Sequence, residues 1–168
     1  MTQTAIPSKD AYLKALAERV LIFDGAMGTS IQALNLTAQD FGGAKYLGCN
    51  DYLVISAPQH ILNIHRSFLE AGADVLETDT FRSLRLTLAD YDLADQTTEI
   101  NLAGARLARQ AADEFTAKDG KPRFVAGSMG PSGKLISTND PEMSDITFDE
   151  LAEVYREAAR GLLQGGVD

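Results

Sequence analysis

The sequence predicts an α/β fold, the first part of a larger barrel in which strands and helices alternate. Three short apolar runs each end at a polar or glycine-marked loop and are followed by a helical pattern: 20–23, 73–78 and 123–126. The last helix ends at Gly165-Gly166 and leads into Val167-Asp168, as an earlier one ends at Gly72 and leads into the second run. We therefore predict about three to four strand–helix units, with the chain ending at the start of strand four. A three-stranded α/β sandwich is the alternative, although it would leave the edges of apolar strands unpaired.

The predicted helices combine apolar residues at helical spacing with boundary signals. Ser8 can cap the first helix, and Pro58 suits the first turn of a later one. Thr147 and Glu150 form a capping box ahead of the last helix. The predicted ranges are 9–19, about 58–71, about 83–90, about 95–117 and 147 to about 164, with a turn or two at 30–36.

Length and charge narrow the function classes. A chain of 168 residues fits one ordinary domain, and a formal charge of −9 disfavours a general binder of nucleic acid or of anionic membranes. No run approaches the roughly 20 apolar residues of a membrane span, and the polar first ten residues do not resemble a signal peptide. The single cysteine, Cys49, excludes an internal disulfide and fits a reducing compartment, so we predict a cytoplasmic location.

Polar residues follow each predicted strand at its carboxyl end. Asp24 stands between the first strand and two glycines, Glu77 and Asp79 follow the second, and Gly127-Ser128 follows the third. In a parallel sheet these ends meet at one edge, where ligands bind. Glycine-turn N–H groups suit a carboxylate and the acids suit an ammonium, so the pattern predicts a site for a zwitterionic amino acid.

Structural roles compete with binding at each position. Asp24 can instead cap a helix, Glu77 and Asp79 can accept backbone N–H bonds from neighbouring loops, and Ser128 can be a turn residue.

Other candidate sites are weaker. His60 and His65 lie five residues apart on one predicted helix, a poor metal spacing with no acid partner placed beside them, and we predict structural or surface roles. A zinc–thiolate site needs several ligands, and Cys49 is the single cysteine of the sequence. The glycine-marked loop 37–53 is long enough to predict a functional loop or a lid.

Three motifs, in this order and spacing, resemble the homocysteine S-methyltransferase family. They are Asp-Gly-Ala-Met-Gly-Thr at 24–29, Glu-Thr-Asp-Thr-Phe at 77–81 and Gly-Ser-Met-Gly-Pro at 127–131. Further stretches most resemble the N-terminal homocysteine-binding module of cobalamin-dependent methionine synthase: 48–53, 71–74 and 146–148. The resemblance covers about residues 12–168.

This resemblance implies a TIM (β/α)8 barrel that binds homocysteine at its C-terminal face and activates the thiol on zinc. A free thiol with a pKa of about 8.5 is mostly protonated at neutral pH, and a metal makes it the thiolate nucleophile. The thiolate would then take a methyl group from methylcobalamin to give methionine. The implied substrate-binding residues are Asp24, which would hold the amino group, Gly25, Glu77, Asp79, Gly127 and Ser128.

The sequence departs from the family pattern in two places. Asp79 replaces the usual asparagine of the second motif, which exchanges an amide for a charge unless the carboxyl is protonated or paired with a cation. The zinc cysteines of the family lie on later strands, and Cys49 matches none of them, so the resemblance assigns no catalytic or metal-binding residue within 1–168.

We therefore interpret residues 1–168 as the N-terminal part of a homocysteine-binding barrel domain, inactive alone. Its expected partners are homocysteine, the remaining half of the barrel, and cobalamin and methyltetrahydrofolate modules of the same chain. Two alternatives stay open: a barrel of the same family that uses betaine or S-methylmethionine, and a short, non-catalytic amino-acid-binding protein.

Overall fold

The computed structural model describes residues 9–136 and 144–168. Within them the chain forms seven α-helices and two strands. In chain order these are α1 (Lys9–Glu18), α2 (Met27–Ala33), α3 (Leu53–Ser56), α4 (Pro58–Glu70), β1 (Val75–Glu77), α5 (Arg85–Leu88), α6 (Thr97–Asp119), β2 (Phe124–Ala126) and α7 (Phe148–Gly165). Four short 3-10 turns lie at Ala44–Tyr46, Asn50–Tyr52, Ala89–Tyr91 and Ala94–Gln96.

Three neighbouring chain segments run parallel, in the order of the sequence. β1 pairs with β2 in the register Val75↔Phe124, Leu76↔Val125 and Glu77↔Ala126. On the other side of β1, the segment 20–24 forms an isolated parallel bridge between Phe23 and Val75. Across the described residues the sheet stays open rather than closing into a barrel. The structure therefore confirms the predicted mixed α/β fold class, with strands and helices alternating along the chain.

The apolar run at 20–23 predicts a buried strand, and that prediction is wrong for most of its side chains. Leu21 is buried against Ala15 and Val75, but Val20 is 83% exposed and Ile22 is 59% exposed. Successive side chains of a strand point to opposite faces, so Val20 and Ile22 lie on the face away from Leu21, and the residues in 9–136 and 144–168 leave that face open.

Helix boundaries follow the local signals closely where a cap is present. The capping box forms as predicted, since the Glu150 N–H donates to Thr147 Oγ1 (3.3 Å) and the Thr147 N–H donates to Glu150 Oε2 (2.9 Å). The predicted helix at 83–90 is shorter, because α5 covers only Arg85–Leu88 and continues as a 3-10 turn. α2 begins three residues before the predicted turn at 30–36.

One buried cluster joins β1 and β2 to α4 and α6, a larger one joins α4 and α6 to α3 and the loop before it, and a third joins α7 to Leu84. α6 presents a row of buried alanines to the sheet side, and α7 approaches it closely through two glycines. A Cβ at Gly161 would lie 2.7 Å from the Thr98 carbonyl oxygen, and one at Gly165 would lie 2.4 Å from Ala105 Cβ. The absence of these side chains therefore permits the helix contact. No helix in the described part of the chain is long and apolar enough to cross a membrane.

The aspartates that follow α4 and α7 bond to a neighbouring strand segment in the same pattern. Asp74 accepts the Ile22 N–H (3.0 Å) and two bonds from Arg19 (2.7 Å each). Asp168 accepts the Val125 N–H (2.8 Å) and a bond from Arg109 (3.0 Å). The Asp168 N–H also donates to the Val125 carbonyl (3.0 Å), as the Asp74 N–H donates to the Ile22 carbonyl (2.7 Å). The two similar helix-to-strand stretches in the sequence thus make the same contacts.

We expect Asp74→Ala to lower the free energy of unfolding by about 1–3 kcal/mol, because the Ile22 N–H loses its acceptor and Arg19 its partner. The hydrogen bond from Arg19 is the main cause that lowers the pKa of Asp74. A lowered carboxyl pKa stabilises the fold above the ordinary carboxyl pKa, and that contribution is lost as the pH falls. Urea unfolding of the full-length protein at several pH values measures both effects. Asp95→Ala is the control, since the Asp95 side chain is 98% exposed; an equal loss in both variants would contradict the assignment.

Candidate functional site

The three predicted loops meet at a cavity of about 530 Å³ at the carboxyl ends of the strand segments. Five of the six predicted site residues line it, and Gly127 does not. The lining residues are Asp24, Gly25, Ala26, Met27, Gly28, Gly48, Asn50, Asp51, Glu77, Thr78, Asp79, Phe81, Arg82 and Ser128. Since four of them are acids and one is an arginine, the cavity suits a ligand that carries an ammonium group.

Asp24 is held at the end of its strand segment by the neighbouring strand. Its N–H donates to the Val75 carbonyl (2.9 Å), and its Oδ1 accepts the Glu77 N–H (2.9 Å). Its side chain is only 2% exposed, and this burial is the main cause that raises its pKa to about 6. The Glu77 N–H lowers that pKa in part, and the charge of Glu77 raises it. Ionising this buried carboxyl group therefore costs free energy unless a cation lies nearby.

The helix-capping alternative for Asp24 is wrong. α2 begins after Ala26, whose side chain makes no capping bond. Glu77 and Asp79 were the expected acceptors of N–H bonds from neighbouring loops. Asp24 and Asp51 have this role instead: Asp24 accepts the Glu77 N–H, and Asp51 accepts the Arg82 N–H.

A small hydroxyl network fixes the loop after β2 against the loop after β1. The Ser128 N–H donates to Thr78 Oγ1 (2.9 Å), and Thr80 Oγ1 donates to the Ser128 carbonyl (2.8 Å). The Thr78 and Thr80 hydroxyl oxygens lie 2.6 Å apart. Because the Thr80 proton is used toward Ser128, Thr78 donates to Thr80. Ser128 is thus placed at the cavity through its backbone.

The glycines of the third loop serve packing. A Cβ at Gly127 would lie 2.9 Å from Leu162 Cδ1, so this position packs against α7 rather than facing the cavity. A Cβ at Gly130 would lie 2.4 Å from the Phe81 carbonyl oxygen. The Gly130 N–H donates to that oxygen (2.9 Å), and the Tyr155 hydroxyl donates to the Gly130 carbonyl (3.0 Å). α7 therefore helps to hold the loop in place.

Asp79 and Asp51 form a buried acidic pair at the cavity wall. Asp51 Oδ1 accepts the Arg82 N–H (2.8 Å) and the Ser83 hydroxyl (3.1 Å), whereas Asp79 Oδ2 is buried without a hydrogen-bond partner among the described residues. Burial, and then the charge of Asp51, raise the pKa of Asp79 well above its usual value. This shift favours the protonated form of Asp79, in which the O–H can donate a hydrogen bond.

Both histidines lie near an acid, contrary to the sequence expectation. His60 Nε2 lies 3.9 Å from Asp40 Oδ1 at the surface. His65 is fully buried, and its Nδ1 lies 4.0 Å from Asp24 Oδ2. The partners are distant in sequence, so helical spacing alone could not identify them.

Sequence reasoning also missed single residues of the long loop and of the loop after β1. Asn50, Asp51 and Arg82 line the cavity, although only the loop 37–53 as a whole was predicted to be functional. The available signal was the Gly-Cys-Asn-Asp stretch itself, which resembles the methionine synthase module. Cys49 is buried, and burial is the main cause that raises its pKa to about 11, which keeps the thiol protonated.

The sequence model of the homocysteine S-methyltransferase family matches residues 21–168. The chain belongs to the homocysteine S-methyltransferase family. The fold agrees with structures of the homocysteine methyltransferase MmuM from Escherichia coli, which in the metallated and the oxidised form each have a TM-score of 0.73 and 24% identity. The apo form gives a TM-score of 0.65 and 23% identity.

The chain covers only about half of these MmuM structures. Each alignment includes 93% of this chain but 50% to 55% of the MmuM chain. At this identity the likeness shows the shared fold, and the family membership rests on the sequence match.

The side chains of the described residues do not form a metal site. Residues 9–136 and 144–168 contain no group of three or more His, Cys, Asp or Glu side chains that could hold a metal ion. The implied zinc therefore has no ligand set among the residues described here.

We expect Asp79→Asn to stabilise the protein at neutral pH and to flatten the pH dependence of its stability. A carboxyl whose pKa is raised by folding stabilises the fold below its ordinary pKa and loses that contribution as the pH rises through the folded value. Urea unfolding from pH 4 to pH 9 measures the change. The control Asp90→Asn alters a side chain that is 68% exposed, and a steeper pH dependence in Asp79→Asn than in the wild type would contradict a protonated Asp79.

Proposed function

We propose that the chain supplies part of the homocysteine-binding site of a methyltransferase that methylates the homocysteine thiol to give methionine. The observation that carries this proposal is the buried Asp24 carboxylate at a cavity formed by all three family motifs. Among the described residues no Lys or Arg pairs with Asp24, and the neighbouring His65 is uncharged at neutral pH, so this buried acid suits a ligand cation.

In this proposal the ends of the amino acid bind to different parts of the cavity. The ammonium lies against Asp24, with Glu77 adding negative charge nearby. The carboxylate lies toward Arg82, the cation of the lining, and toward the Asp79 O–H and the Ser128 hydroxyl. Gly25 also lines the cavity, and a Cβ there would make only an ordinary van der Waals contact with Phe68 Cε1, at 3.7 Å.

The described residues bind and orient the substrate, and they do not ionise its thiol. A thiol with a pKa of about 8.5 needs a metal or a base to react at neutral pH. Zinc activation stays a prediction from the family resemblance, as no residue set in the described chain fits the ion. We also propose that residues 1–168 form part of a larger (β/α)8 barrel domain, since they span about half of the matching structures.

For the methyl donor we propose methylcobalamin, with cobalamin and methyltetrahydrofolate on further modules. The support is the resemblance of 48–53 to the methionine synthase module. Betaine and S-methylmethionine are the alternative donors, and a non-catalytic amino-acid-binding protein is the alternative of another class. Assays of the full-length protein with each donor and L-homocysteine separate these alternatives: methionine formed with none of them would favour the binding protein. The cytoplasmic location stays a prediction based on the single cysteine.

We expect Asp24→Asn to weaken the binding of L-homocysteine by roughly tenfold to a hundredfold, because the ammonium loses a charged partner. Wild-type affinity should fall as the pH drops below about 6, where Asp24 becomes protonated, and the variant should not show this change. Isothermal titration calorimetry of the full-length protein measures both.

A ligand without the amino group is the matched control. 4-Mercaptobutanoate keeps the thiol and the carboxylate, so Asp24→Asn should leave its affinity nearly unchanged. Equal losses for the two ligands would show that Asp24 does not bind the amino group.

A further inference from the structure

His65 is a buried polar side chain that none of the observations above explains. It lies on α4, it is fully buried, and neither ring nitrogen has a hydrogen-bond partner in the part of the chain that the structure describes. A buried N–H without an acceptor costs free energy comparable to a lost hydrogen bond, so this arrangement calls for a partner.

Asp24 is the polar group next to it. Its Oδ2 lies 4.0 Å from His65 Nδ1, while its Oδ1 already accepts the Glu77 N–H. A movement of roughly 1 Å would bring Nδ1 and Oδ2 within hydrogen-bond distance. Both side chains are shielded from water, with exposed fractions of 0% for His65 and 2% for Asp24.

The charged groups around this pair are few. Glu77 on β1 faces Asp24, and Asp51, Asp79 and Arg82 lie on the same cavity. On α4 itself Arg66 is turned toward α6, where it bonds Glu114 at 2.8 and 2.9 Å. Burial lowers the pKa of His65 to about 4, so at neutral pH the imidazole is uncharged and carries one N–H.

We propose that His65 is a positioning residue for Asp24: in the homocysteine complex, its Nδ1–H donates a hydrogen bond to Oδ2 of the Asp24 carboxylate. This inference rests on the proposed function, because the ligand ammonium is the group that the Asp24 carboxylate binds. Two donors then hold the carboxylate, the Glu77 N–H on Oδ1 and the imidazole on Oδ2. Its remaining lone pairs are left for the ligand.

The chain offers a matched control on the same helix. His60 also lies close to an aspartate, with Nε2 3.9 Å from Asp40 Oδ1, but both side chains are partly exposed, at 39% and 33%. His60 is not among the residues that line the cavity. A change at His60 therefore tests the loss of a histidine from α4 without touching Asp24.

The experiment is a titration of the full-length protein with L-homocysteine from pH 5 to pH 8.5, comparing His65→Leu, His65→Asn and His60→Leu. Leucine removes the donor, so affinity should fall about tenfold and its decrease at acid pH should begin at a higher pH. Asparagine places an amide N–H near the position of Nδ1 and should restore most of the affinity. His60→Leu should match the wild type.

The outcomes separate this inference from the proposed function. No binding of homocysteine by the wild type would overturn the proposed function, and this inference with it. Binding by the wild type with equal affinity losses in His65→Leu and His65→Asn would overturn the role of His65 alone.

A second measurement covers the case in which His65→Leu does not fold. Nitrogen-15 NMR of the wild-type imidazoles reports which ring nitrogen carries the proton. We expect His65 to carry it on Nδ1 in the homocysteine complex, and Asp24→Asn to shift that signal in the free protein. A proton on Nε2 in the complex would contradict the proposal.

Discussion

The hydrogen bond from the Glu77 N–H to the Asp24 carboxylate is the constraint on which the site depends. It joins the ends of two parallel segments that are 53 residues apart in the chain. It also fixes a carboxylate that burial would otherwise drive toward its neutral form. The third segment is attached to the second by the Thr78, Thr80 and Ser128 network, so the three loops form one wall.

The scaffold behind this wall is built from repeated local contacts. Asp74 accepts the Ile22 N–H and a bond from Arg19, just after α1, and Asp168 accepts the Val125 N–H and a bond from Arg109 of α6. These carboxylates therefore hold the strands together at the amino-terminal side of the sheet, opposite the cavity. Two glycines of α7 allow this helix to lie close to α6. In the third loop, Gly130 allows its own backbone to lie against the backbone of Phe81.

Features encoded by short stretches could be predicted from the sequence. The capping box at Thr147, the helix end at Gly72 and the convergence of Asp24, Glu77 and Ser128 on one cavity follow from local chemistry and from the parallel order of the strands. The aspartate at position 79 could also be read from the sequence, and the structure adds the burial that raises the pKa of its carboxyl group.

Features that depend on distant partners could not be predicted in this way. The exposure of Val20 depends on what covers that face of its segment, and the role of Gly127 depends on Leu162 of a helix that follows much later. The pairing of His65 with Asp24 needs the packing of α4 against the first segment, which no spacing along α4 reveals.

The most direct test of the central claim is a crystal structure of the full-length protein with L-homocysteine bound. We expect the ligand in the cavity between the three loops, with its amino nitrogen within about 3 Å of an Asp24 carboxylate oxygen. A ligand bound elsewhere, or one whose amino group is turned away from Asp24, would contradict it.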